Sequence, residues 1–141
     1  LDGGRVLASS YQGNLMAFEI SSGRIVWRME ASSYHGMAQG FGNIYYCDDK
    51  SQVNAIRDNS NDVVWENVAL LNRKITAPTA IGNYVAVADL EGYVHLLSQV
   101  DGRIVGRAQA DSKGVRSNLL SHNGRLYVFG NSGKLSAYDL Q

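Results

Sequence analysis

Three kinds of side chain in this sequence could do chemistry. Asp48, Asp49, Asp89 and Glu91 offer oxygen ligands of the kind a hard cation takes. His35, His95 and His122 could ligate a transition metal or move a proton, and Cys47 carries the one thiol. None of these groups has the spacing that such chemistry needs. The acids sit beside turn segments in separate parts of the chain and form no Asp-rich ligand loop, so they read as solvated turn residues. The histidines show no His-x-x-x-His pair, and His95 reads as a packing histidine. A lone cysteine excludes an intrachain disulfide and any zinc site built from several thiolates. Within "NIYYCDD", Cys47 reads as an inert buried thiol. No Gly-x-Ser-x-Gly elbow leads into a helix. The sequence therefore predicts no catalytic residue, no metal ligand and no cofactor site.

Composition narrows the classes further. Thirteen basic residues balance thirteen acidic ones over 141 positions, so there is no electrostatic footprint for nucleic acid or an anionic membrane surface. "GNIYYC" and "GRLYVF", without a basic groove beside them, read as core strands and not as base-stacking platforms. No run of about 20 apolar residues is present, and no charged-then-apolar leader. Fifteen glycines against one proline, with Val, Ile, Leu and Tyr in short runs, describe an all-β chain of short strands and tight turns. In the third of these strands, alternation puts Ile25, Trp27 and Met29 on one side and Arg24, Arg28 and Glu30 on the other.

The elements that must position these residues repeat. Leu15, Val53, Val94 and Leu135 correspond, spaced by 38, 41 and 41 residues, and Ala17, Ala55, Leu96 and Ala137 follow two places later. Each unit turns first at "DGGR", "GFGN", "IGNY" or "HNGR", next at "YQGN", "DKSQ", "LEGY" or "NSGK", and then at "SSGR", "NSND" or "VDGR". Gly, Asn and Asp gather there because tight hairpin turns use positive φ. Gly82 and Gly92 are one residue further apart than Gly4 and Gly13 or Gly124 and Gly133, which predicts a β-bulge near Ala88.

A period of about 40 residues with four strands per unit is the mark of β-propeller blades. "HGMAQ", "TAPTA" and "RSNLLS" read as the innermost strands. The reading is an incomplete arc of about 3.5 four-stranded blades: residues 1–31 lacking the inner strand, two full blades at 32–68 and 69–109, and 110–141 lacking the outer strand. Blade faces are normally covered by neighbours, which explains the uniformly apolar "YVAVA". An open arc leaves faces and edges bare, so the chain is expected to belong to a larger closed ring or to self-associate.

The stretch "AFEISSGRIVW" resembles the tryptophan-docking repeat of the pyrroloquinoline-quinone-type propellers. That resemblance implies a packing motif of Ala17, Gly23 and Trp27, repeated as Ala55 and Trp65, as Gly102, and as Ala137, with Asn61 in place of a turn glycine and Gly106 in place of the third Trp. A weaker docking contact is expected there. "LLNRKITAPTAIGNYVAVADLEGYVHLLSQVDGRIV" and the ending "NSGKLSAYDL" are similar to the propeller lipoproteins of the outer-membrane β-barrel assembly machinery of Gram-negative bacteria. This likeness implies an eight-bladed periplasmic ring, lipid-anchored in its parent protein, that acts as a non-enzymatic scaffold. Its implied partners are a BamA-like barrel-assembly subunit and unfolded outer-membrane proteins. A fragment of a quinone-dependent dehydrogenase and a ligand-sensing propeller are the alternatives.

Recognition by a propeller falls to the connections between blades, here "EASSYHG", "NVALLNRKIT" and "QADSKGVRS". Leu70, Leu71, Asn72, Arg73 and Lys74 combine apolar and basic character and are the partner-contact candidates. A simple cover between blades is the favoured reading of this loop over a partner contact.

Overall fold

The computed structural model describes residues 4–10, 13–31 and 36–140. His35, most of "EASSYHG" and parts of the turns "DGGR" and "YQGN" lie outside the described residues. Fourteen strands and no helix are found among the described residues. The first sheet contains β1 (Arg5–Ser9), β2 (Asn14–Glu19) and β3 (Ile25–Glu30). The second contains β4 (Ala38–Gly40), β5 (Asn43–Cys47), β6 (Val53–Arg57) and β7 (Val63–Asn67). The third is β8 (Thr79–Ile81), β9 (Tyr84–Ala88), β10 (Tyr93–Ser98) and β11 (Ile104–Gln109). The last is β12 (Leu120–His122), β13 (Arg125–Phe129) and β14 (Leu135–Asp139). In every sheet strands pair in chain order and antiparallel. The all-β propeller arc is therefore borne out, with sheets of three, four, four and three strands.

The short strands β4, β8 and β12 overlap the ends of the segments read as innermost. They sit closest to one another, β8 touching both β4 and β12, and mark the ring centre. Between the sheets lie three apolar layers. Leu15, Ala17 and Trp27 meet Ile44, Tyr46 and Ile56; Val53, Ala55 and Trp65 meet Val85, Val87 and Leu97; Val94 meets Leu126 and Val128. The same repeat positions build each layer, which is why a strand here is apolar on both sides.

The bulges are not where the glycine spacing suggests. β9 and β10 pair without interruption from Tyr84 to Ala88, so there is no bulge near Ala88. The longer Gly82–Gly92 interval arises because Gly82 is the first residue of its two-residue turn, whereas Gly42 and Gly124 are the second of theirs. Phe41–Gly42 and Asn123–Gly124 have positive φ at both places, while in Gly82–Asn83 only the glycine does. The two turns differ in type and not in length. Real bulges fall at Val26, Val64 and Val105, each an extra residue in the outermost strand just before the Trp27, Trp65 and Gly106 positions. The bulge breaks the alternation expected of β3: Ile25 lies opposite Phe18 and is 43% exposed, on the other side from Trp27.

Candidate functional site

The seven docking residues fall into two complete contacts and several partial ones. Ala17 pairs with Trp27 across β2 and β3, and Ala55 with Trp65 across β6 and β7; all four are buried. The indole Nε1 of Trp27 donates to the carbonyl of Asp58 in the next blade at 2.8 Å, and that of Trp65 to the carbonyl of Gln99 at 3.0 Å. Each bulge turns the ring toward its neighbour, and each N–H meets the residue that follows the neighbour's third strand. Gly102 lies against the face of Trp65, where any β-carbon would collide with the indole. It holds φ +77°, while Gly23 has φ +71° with open space around it. Asn61 takes the same left-handed place in the second blade, at φ 58°. Ala137, on β14, is exposed because no blade covers that face.

The candidate loop divides by burial. Leu70 is fully buried in the layer between the second and third blades, so it anchors the loop and offers no surface. Leu71, Asn72 and Lys74 are exposed and Arg73 is half-buried. Asn72 and Lys74 both hold positive φ, a sparsely populated backbone for residues other than glycine. Backbone hydrogen bonds fix it: Asn72 N–H donates to Lys50 O, Leu90 N–H to Arg73 O, and Thr76 N–H to Ala88 O. Ile75 N–H adds a bond to Ser51 Oγ. The loop is thus held against the second turns of two blades.

Beneath it runs a buried polar chain that the sequence reading missed. Asp89, expected to be solvated, is fully buried. Its Oδ1 accepts the backbone N–H groups of Glu91 and Tyr93, both at 3.0 Å. Its Oδ2 lies 2.8 Å from His95 Nε2 and 3.4 Å from Arg73 Nε. His95 is fully buried as well, and its Nδ1 accepts from Arg107 Nε at 3.1 Å. Arginine has no acceptor, so Nδ1 carries no proton and Nε2–H donates to Asp89. Burial lowers the His95 pKa; the bond to Asp89 opposes this, and Arg107 and Arg73 reinforce it. The histidine is a satisfied packing residue, neutral and doubly partnered. Arg73 also reaches Glu91 at 3.8 Å, which ties the loop to the turn charge.

A second missed residue is Asp111. In the second and third blades an Asp opens the second turn, and Asp48 Oδ1 accepts from Lys50 and Gln52 N–H just as Asp89 accepts from its own turn. The fourth blade has Gly130 at that place, and Asp111 from the preceding connection supplies the carboxylate. Its Oδ2 accepts from Ser132 N–H at 3.0 Å and Ser132 Oγ at 2.6 Å. A β-carbon on Gly130 would occupy the volume of the Asp111 side chain. The hydrogen bond from Ser132 is the main reason the Asp111 pKa lies below the ordinary value.

The inter-blade connections and second turns form one face. Beside the candidate loop that face carries an open cavity of about 300 Å³, lined by Asp48, Ser51, Lys74, Thr76, Leu90 and Arg116 among others. Its charges are mixed, which suits recognition by local contacts. No group of three His, Cys, Asp or Glu among the described residues could hold a metal ion. Cys47 is fully buried and desolvation drives its pKa upward, so its thiol is held protonated.

A family model described as outer membrane protein assembly factor BamB matches residues 1–67. Over its whole length the chain is 48% identical to the outer membrane protein assembly factor BamB of Pseudomonas aeruginosa, covering 39% of that protein. It is 36% identical to the protein of the same name from Shewanella oneidensis, with 98% of this chain and 35% of the relative covered. The crystal structure of BamB from Moraxella catarrhalis superposes with a TM-score of 0.93 at 29% identity, over 99% of this chain and 41% of that one. The chain spans less than two fifths of the length of these curated relatives.

Proposed function

Because the chain belongs to the BamB family of outer-membrane protein assembly factors, we propose that it serves without chemistry of its own, as the carboxy-terminal arc of a propeller scaffold on the periplasmic side of the outer membrane. The ring it contributes to has eight blades, and its work is to hold other components of the barrel-assembly machinery in place. The direct partner is the BamA-like membrane-embedded subunit, with unfolded outer-membrane proteins as transient ligands. What carries this reading is the 48% identity to a BamB along the entire chain.

The contact surface is the face of inter-blade connections, with Leu71, Asn72 and Lys74 as its exposed members in the candidate loop. Fixed left-handed backbone at Asn72 and Lys74 presents these side chains without an ordering cost on binding. The test places a photo-crosslinking residue at Leu71 in the full-length protein in cells. Capture of the barrel-assembly subunit there, and none from Arg103 on the opposite face, supports the reading. Equal capture from both positions, or none from either, overturns it.

A further inference from the structure

The third inter-blade layer lacks its tryptophan, and the space is open. Leu96 pairs with Gly106 where Ala17 pairs with Trp27 and Ala55 with Trp65. Leucine for alanine returns three carbons on one side of the pair, while glycine removes the whole indole on the other. The difference remains as a largely apolar cleft of about 160 Å³ between the third and fourth blades, lined by Leu96, Ala108, Leu126, Tyr138 and Leu140, with Arg107 at its rim. A cavity of roughly 150 Å³ walled by aliphatic groups is large enough to take a benzene ring.

Register shows whose space this is. Counting five residues on from Val53, Val94 and Leu135 places Leu140 level with Asp58 and Gln99, the residues whose carbonyls accept the two indole N–H groups. Leu126 and Tyr138 stand level with Ile44 and Ile56, which pack in the layer with Trp27. The cleft is the counterpart of two sockets that already hold a polypeptide-borne indole, apolar walls and carbonyl position included.

We propose that this cleft is a receptor site for a tryptophan side chain of a polypeptide partner. The ring enters beside Gly106, against the Leu96 side chain that lies over it, and its N–H reaches the carbonyl of Leu140. The Arg107 side chain is turned to the opposite face of its strand, where it meets His95 and the Tyr93 ring, and leaves the cleft to apolar groups. That the partner is a protein of the assembly machinery rests on the function proposed above; the socket itself does not.

The experiment titrates the full-length protein with N-acetyl-tryptophanamide while the methyl resonances of Leu96, Leu126 and Leu140 are followed. Saturable shifts at all three are expected, with N-acetyl-leucinamide binding at least about tenfold more weakly. Gly106→Trp supplies the indole from within the chain, and its β-carbon meets Leu96 in ordinary contact at 3.6 Å. This variant should weaken probe binding about tenfold or more. Ala108→Glu, at an exposed position on the mouth, should do the same without disturbing the fold. Absence of saturable shifts, equal binding of the leucine amide, or undiminished binding to both variants overturns the proposal. Crosslinking at Leu71 is scored separately, so a failed titration with crosslinking intact removes the socket and leaves the scaffold function standing.

Discussion

Asp89 and His95 lie 2.8 Å apart, carboxylate against imidazole, and neither side chain has any exposure to water. The pair joins a turn to the strand that follows it, and through Arg73 it reaches the loop above. Removing the carboxylate strands two backbone N–H groups, the imidazole N–H and a guanidinium together. Asp89→Ala should therefore cost about 3–5 kcal/mol, because each buried donor left without its acceptor costs about 1–3 kcal/mol. Chemical denaturation of the full-length protein reads this directly, and a loss no larger than that of a surface substitution would refute it.

The same pair sets a pH dependence. Burial holds the His95 pKa below its ordinary 6.5, so the unfolded chain takes up a proton that the native chain refuses. Stability from this group is present above the unfolded value and is lost as pH falls through and below it. Lowering the pH from about 7.5 to 5.5 should lower Tm, and His95→Gln should flatten that slope. Parallel slopes in the two proteins would show that His95 is not the sensor.

Gly23 and Gly102 allow a controlled comparison. Both hold left-handed φ, so alanine at either meets the same backbone cost of about 1–2 kcal/mol. At Gly102 alone the new β-carbon also strikes the Trp65 indole. Gly102→Ala should lose clearly more than Gly23→Ala, by about 1–3 kcal/mol as for other overpacked sites. Equal losses in thermal melts would mean that the indole yields without strain.

Cys47 should resist modification. With its thiol fully buried and protonated, an aromatic disulfide reagent should titrate no thiol in the folded chain and one after denaturation. Rapid reaction under native conditions would contradict the burial.

Leu135 is 67% exposed, whereas its counterparts Leu15 and Val53 are fully buried and Val94 is 5% exposed. In the full-length protein this position should be covered by another blade. Amide exchange across Leu135–Asp139 should slow when the chain is part of the complete protein. Unchanged exchange would mean that the face is solvated in the native ring.

The blade repeat was legible because it is written in residues with strong backbone or volume demands. Turn glycines, Asn61 and the two tryptophans recur at positions that only a repeated four-stranded unit explains. What escaped depends on neighbours that no single strand records. Asp89 looks like any turn acid until the loop at Arg73 closes over it. Asp111 does the work of a turn residue from outside its turn. The bulges at Val26, Val64 and Val105 leave no composition signal, since a bulged valine resembles a paired one. Gly82 misled for a related reason, because glycine serves either place of a two-residue turn and its spacing alone does not say which. Leu70 looks exposed in a polar loop and is instead its apolar foot.

Both tryptophans reach in one direction, from the outermost strand of one blade to the third strand of the next. The arc therefore has polarity: one end gives and the other receives. Surfaces of this kind cannot pair face to face across a two-fold axis lying in the joint, as most homodimers do. A union of arcs through this docking contact runs head to tail about an axis along the central channel. It ends in a closed ring where the rotation completes a circle, and in an open spiral where it does not.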